Sequence, residues 1–164
     1  MSFKIEFYPD KSYYEEAYNE IISTLKLKKY EPIFALVIIF FGITLFFINQ
    51  NKNLSFISII FIGIGIYEFM KYYYEKQKWI NDRLKSKILG EKLKLEFEED
   101  FIIHSGPFSN GKIDWNGIKD ILKTKNGILI KLETGISIYL PYKFFNNKGE
   151  IDFILFKKNR GIEQ

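Results

Sequence analysis

Two apolar runs, Pro32 to Ile48 and Leu54 to Met70, stand only five residues apart, and they limit what this chain can become more than any other feature. The first carries no charge over its length and the second carries only Glu68. A surface helix of a soluble domain has an apolar stripe and a polar opposite face, whereas a helix apolar all round must be buried or sit in lipid. At ~1.5 Å per residue each run covers about 26 Å, the low end for a hydrocarbon core roughly 30 Å thick. Joined by Asn49-Gln50-Asn51-Lys52-Asn53, they predict a transmembrane helical hairpin: span one over 32–48, an external turn over 49–53, span two over 54–70.

The averages of the chain hide this. A hydrophobic fraction of 47% and a mean hydropathy of −0.09 look soluble, because the apolar residues are concentrated and the rest is strongly charged. A cleaved signal sequence is the competing reading of the first run. It starts beyond position 30, follows the acid-bearing segment Glu15-Glu16 to Glu20, and lacks a small-x-small cleavage pattern, so an uncleaved span is expected. Pro32 suits a first helical turn, where its missing N–H costs nothing.

Charge sets the orientation. The chain carries 24 basic and 20 acidic residues, a net charge of +4. Lys71, Lys76, Lys78, Arg83, Lys85 and Lys87 stand against Glu75 and Asp82 alone, so the stretch 71–90 holds an excess equal to that of the whole chain. Lys26, Lys28 and Lys29 precede the first run, while the connector has only Lys52. The positive-inside rule then puts both termini in the cytoplasm of a two-span protein of the cell membrane. Tyr30 before the first run, and Tyr67, Tyr72, Tyr73, Tyr74 and Trp79 at the end of the second, form an aromatic belt. The membrane-interface residues are therefore Tyr30, Glu68, Lys71, Tyr72, Lys76, Lys78, Trp79 and Arg83. Ser55, Ser58, Gly63 and Gly65 are small enough to admit the first helix, although no GxxxG occurs here. Glu68 at the edge pairs with Lys71 three residues on, which makes an interfacial ion pair the reading and a proton or ion site the rival.

Outside the runs, residues 1–31 predict a cytoplasmic strand and amphipathic helix. Phe3, Ile5 and Phe7 alternate with polar neighbours, Pro9-Asp10-Lys11 breaks the strand, and Ser12-Tyr13-Tyr14-Glu15 has capping-box spacing. Tyr14, Ala17, Tyr18, Ile21, Ile22 and Leu25 share one helical face, to lie on the membrane surface or on the C-terminal domain. Residues 71–90 predict a basic juxtamembrane helix ended by Gly90. From Glu91 the period changes to two. Five or six short antiparallel strands follow, including an Asn126-Gly127 hairpin signal, and a terminal helix from Glu150 to Asn159 closes a small β domain over 91–164. The fold class is α+β: a transmembrane hairpin with an N-terminal strand-helix and a C-terminal antiparallel β domain.

The C-terminal motifs carry a resemblance. Phe101-Ile102-Ile103, Lys112-Ile113-Asp114-Trp115-Asn116-Gly117-Ile118-Lys119-Asp120-Ile121, and Ile136-Ser137-Ile138-Tyr139-Leu140-Pro141-Tyr142-Lys143-Phe144-Phe145 together resemble the YcxB-like family of bacterial two-span membrane proteins. Its pattern is a Trp with apolar positions three and six later, then a strand ending in Pro, a basic residue and an aromatic. Trp115, Ile118, Ile121, Pro141, Lys143 and Phe144 fit it, with Tyr142 standing where a basic residue often follows the Pro. The strand and helix before the spans also fit, so the resemblance extends over nearly the whole chain. It implies a pleckstrin-homology-like domain and no transferable activity; Trp115, Ile118, Ile121, Pro141 and Phe144 form its core motif.

Chemistry is sparse. Cys is absent, which excludes disulfides, thiolate metal sites and a cysteine nucleophile. His104 is the one histidine, too few for a multi-histidine metal site. Glu98-Glu99-Asp100 reads as a solvated turn rather than paired catalytic carboxylates, and Gly106 to Gly111 lacks the lysine of a P-loop. Basic residues of the β domain interleave with acids, so no nucleic-acid track is expected. The chain is expected to be no enzyme and to need no cofactor or metal. It reads as a membrane-tethered binding or regulatory module, its partners the bilayer and a protein or anionic lipid headgroup. The alternative is a component of a transporter or of an immunity or self-protection system acting through its spans; a third is a homo-oligomeric structural membrane protein.

Overall fold

In the computed structural model the chain is described over residues 2–48 and 52–160, and it divides into two compact units. One comprises residues 1–24 with 82–164, the other residues 25–81. Each is built by a different rule.

The first unit is two antiparallel sheets around one core. Strands β1 (Phe3–Phe7), β2 (Leu93–Phe97), β3 (Phe101–Ser105) and β4 (Asn110–Asp114) form a four-stranded sheet in that order. Strands β5 (Ile118–Lys123), β6 (Gly127–Leu132) and β7 (Ser137–Pro141) form a three-stranded one. Strand alternation sends Ile5, Phe7, Leu95, Phe97 and Ile102 from one sheet and Ile121, Ile128, Ile130, Leu132 and Leu140 from the other into a shared core. Ile154 of the closing helix, Lys148–Arg160, joins them, with Ile151, Phe153 and Leu155 alongside.

The N-terminal strand is not a separate element. Its pairing with β2 runs the full length, from Phe3↔Phe97 to Phe7↔Leu93, so the segment before the apolar runs and the domain after them share one sheet. The boundary expected at 31 therefore does not separate the strand from the domain: strand and partner stand about ninety residues apart, where no local pattern connects them. Helix α1 (Lys11–Ser23) then covers the second face of β6 and β7. That is why Leu129 and Tyr139, which point away from the shared core, are also fully buried. Of the two positions open to this helix, packing on the C-terminal domain is the one adopted.

Several boundaries differ from the sequence reading, each for a local reason. Asp10, not Ser12, caps α1: its side chain accepts from the Tyr13 N–H at 2.7 Å. The terminal helix begins at Lys148, since Asn147 Oδ1 accepts from the Glu150 N–H at 3.1 Å while the Glu150 carboxylate reaches back to the Asn146 N–H at 2.9 Å. This reciprocal cap explains why Glu150 is buried. Gly127 serves neither φ > 0 nor a primed hairpin turn: among the described residues the positive-φ glycines are Gly90 and Gly135. A side chain at Gly127 would meet the backbone of Leu140 and the Tyr139 ring, so its glycine permits strand approach.

The second unit is helical. Helix α2 runs Glu31–Ile48, and α3 runs Lys52–Leu84 and passes into the first unit at Asp82. Asn49 to Asn51 of the expected turn lie outside the described residues, and Lys52 and Asn53 are helical rather than connector. The juxtamembrane helix continues α3 but ends at Leu84, not at Gly90. Backbone bonds from the Ser86 N–H to Arg83 O and from the Leu89 N–H to Ser86 O replace it with turns, and the Gly90 N–H, at φ +73°, donates to Pro9 O at 2.9 Å.

Candidate functional site

The helical unit shows what its residues are for by where they point. Only 11% of the residues in each apolar stretch are buried within the protein. Phe40 is 71% exposed and Phe47 81%. The apolar core helix of a soluble protein hides its residues; these two display them. Both helices are long and apolar enough to cross a membrane.

What the helices do bury is small. A Cβ on Gly65 would stand 2.5 Å from Ile39 Cγ1 and 2.9 Å from the Ala35 carbonyl oxygen, and one on Gly42 would stand 3.0 Å from the Ser58 carbonyl oxygen. Ala35 and Gly42 are seven residues apart on α2, as are Ser58 and Gly65 on α3, so each helix offers a small residue at the heptad interval of a left-handed seam. Phe41 and Phe61 pack edge to face beside it, with centroids 5.3 Å apart. Of the small residues singled out in the sequence, Ser58 and Gly65 lie in the seam, while a side chain at Gly63 would meet nothing within 4 Å. Gly42 was missed, because only its antiparallel partner identifies it.

That seam sets the register. With Gly65 against the turn from Ala35 to Ile39 and Gly42 against the turn from Ser58 to Ile62, Pro32 stands at about the level of Met70, and Ile48 at about the level of the first turn of α3. The two uncharged stretches thus lie side by side, and charge begins at the same level on both helices. There Lys71 Nζ lies 3.3 Å from Glu68 Oε2, the pair their spacing predicts. Lys28 Nζ lies 2.8 Å from Glu75 Oε2, a pair that 47 residues of separation concealed in the sequence. Tyr30 occupies the 3-10 turn before α2, with Lys29 Nζ 4.8 Å from its ring centroid. Tyr72, Lys76, Lys78 and Trp79 follow along α3. Arg83, in the last turn of α3, belongs to the sheet-bearing unit.

In that unit, Trp115 Nε1 donates to Glu98 O at 3.1 Å, and its ring packs at 6.2 Å, edge to face, on Phe153. Lys157 lies 5.6 Å from the Trp115 ring centroid and donates to Glu99 Oε2 at 3.0 Å. Ile121 is buried and Ile118 packs against the core; Phe144 stacks on Phe7 at 4.9 Å. Pro141 ends β7 opposite Gly127. These residues are structural in their contacts. A polar seam under α1 was invisible in the sequence: Tyr139 donates to Glu16 Oε1 at 2.8 Å, Lys143 lies 3.6 Å from Glu16 Oε2, and Tyr13 donates to Tyr139 O at 2.9 Å. Burial pushes both phenols well above the ordinary tyrosine value, and the Glu16 carboxylate raises Tyr139 further. His104 faces Gly111 across β3 and β4, and its Nδ1 is buried without a hydrogen-bond partner. Among the described residues no group of three or more His, Asp or Glu is placed to hold a metal ion.

The segment around Trp115, from the end of β2 to the closing helix, is also where the chain resembles known proteins. Residues 97–155 match the YcxB-like protein family. The YcxB-like segment takes in β3 to β7 and contains Trp115, Ile118, Ile121, Pro141 and Phe144. It leaves out β1, α1 and the helical hairpin, so the match is narrower than the whole-chain resemblance expected from the motifs. No curated protein and no solved structure matches the chain.

Proposed function

We propose that this chain is a pleckstrin-homology-like binding module held at the cytoplasmic face of the cell membrane by a two-helix hairpin inserted between its first two strands. Four strands, three strands and a C-terminal helix in that order support the pleckstrin-homology-like reading. One observation carries the topology: β1 pairs with β2 along its whole length, and the hairpin lies between them. Strands of one sheet lie on one side of a bilayer, so the intervening chain crosses an even number of times. Cleavage after the first run would remove β1 and α1 from their own unit. The basic residues flanking the hairpin, against Lys52 alone at the start of α3, support an inside position for the module.

Because the chain has no cysteine, single substitutions test this directly. Lys125→Cys, on the exposed β5–β6 turn, stays unlabelled by a membrane-impermeant maleimide in intact cells and reacts after lysis, while Gln50→Cys, in the connector between the apolar runs, reacts in intact cells. Labelling of Lys125→Cys from outside overturns the orientation. The binding role has its own test. Tagged full-length chain solubilised in detergent retains a reproducible protein partner or lipid preference, and retention of neither rejects a binding module.

A further inference from the structure

We infer that β4 is a self-pairing edge, on which a second copy of this chain adds its own β4, antiparallel about Ile113, and joins two four-stranded sheets into one. Four strands end the two sheets: β1, β4, β5 and β7. Three of these edges are occupied. The 3-10 turn Tyr142–Phe144 stands beside β1, and the closing helix beside β5. On β7 the Tyr139 carbonyl already accepts from the Tyr13 hydroxyl, and Pro141 has no N–H to offer. Among the described residues, β4 packs substantially on its hairpin partner β3 alone. The register shows what its open side presents. The Gly106 N–H donates to Ser109 O at 2.9 Å, so bonded pairs alternate from there through His104–Gly111 and Ile102–Ile113. The backbone N–H and C=O groups of Asn110, Lys112 and Asp114 therefore point away from β3, and all three residues are exposed.

Charge selects the occupant. An edge that carries a lysine and an aspartate turns most strands away, because an incoming strand must set the opposite sign against each. A second β4 does so. With a twofold axis at Ile113, Lys112 lies opposite the partner's Asp114 and Asp114 opposite the partner's Lys112, at positions that also exchange backbone bonds. Within one strand the two side chains already stand 3.5 Å apart, both more than half exposed. Pairing therefore closes four charges of alternating sign into one ring. On the opposite face the two Ile113 side chains, half-buried against the core, meet across the axis. The contact is isologous and uses up the open edge, so it closes at two copies. An interface of two strands is small. Co-residence in one membrane offsets this by raising local concentration, a point that rests on α2 and α3 spanning the bilayer.

Full-length Ile113→Cys, reconstituted into phosphatidylcholine vesicles and oxidised, tests the pairing, because the chain has no other cysteine. Residues directly opposed in a non-bonded antiparallel pair stand close enough for a disulfide. The covalent dimer forms about tenfold faster than that of Lys125→Cys, on the exposed β5–β6 turn, which reports random collision. Lys112→Asp or Asp114→Lys, each added to Ile113→Cys, sets like charges opposite one another and lowers the rate to that of Lys125→Cys. The double reversal restores opposite signs and the rate. Equal rates for Ile113→Cys and Lys125→Cys overturn self-pairing and leave the edge to a strand of another protein. Single reversals as fast as their parent, or a double reversal as slow as the singles, overturn the register. Should circular dichroism show that Ile113→Cys loses the fold, a mixture of Lys112→Cys and Asp114→Cys chains reads the same contact. The two crosslink to each other faster than either to itself, and equal rates overturn the proposal.

Discussion

Gly65→Val drives the two apolar helices apart. The added methyls meet the Ala35 carbonyl oxygen and the Ile39 backbone as well as its side chain, and backbone cannot turn away as a rotamer does. Overpacking of this kind costs about 3 kcal/mol, and close approach through small residues is what holds helices together where lipid is as apolar as leucine. Gly63→Val makes the same change of composition on the same helix, but nothing stands within 4 Å of its new atoms. Titration of SDS into protein solubilised in mild detergent, followed by circular dichroism, separates the two: the Gly65→Val midpoint falls well below wild type and Gly63→Val stays with it. Coincident midpoints for the two variants would place the seam elsewhere.

Ile5→Asp unfolds the sheet-bearing unit, although the substitution stands 88 residues before the next strand of that sheet, which opens at Leu93. Ile5 is 2% exposed and pairs with Leu95 in the shared core. An aspartate there buries a charge among apolar side chains, and the penalty exceeds about 4 kcal/mol. Lys4→Ser, one residue away on the outer face, removes only an exposed ion pair with Glu6 at 3.4 Å and leaves stability near that of wild type. Limited proteolysis reads the difference: the chain beyond Asp82 becomes protease-sensitive in Ile5→Asp and resists in Lys4→Ser. A resistant Ile5→Asp would mean that β1 is dispensable to the unit.

What was legible in the sequence was whatever a short stretch states by itself. Uninterrupted apolar runs name the two long helices, because every side of each helix must avoid water. Alternation names most of the strands, and Glu98-Glu99-Asp100, Asn126-Gly127 and Pro141 name their ends, because backbone chemistry at a turn is local. The Glu68–Lys71 pair follows from helical spacing alone. Misplaced caps came from competition between near neighbours: Asp10 and Ser12 are both good N-caps, and only the hydrogen bond to Tyr13 decides between them.

What only the tertiary structure decided was partnership at a distance. That β1 belongs with β2, that Gly42 faces Ser58, that Lys28 meets Glu75, and that Glu16 receives Tyr139 all depend on segments brought together from far along the chain. A residue's own neighbours carry no record of such pairings. Hydrophobicity sorts a segment into lipid, core or solvent, but it is non-directional. The choice of which surface meets which falls to shape and hydrogen bonding, and these exist only once the chain has closed on itself.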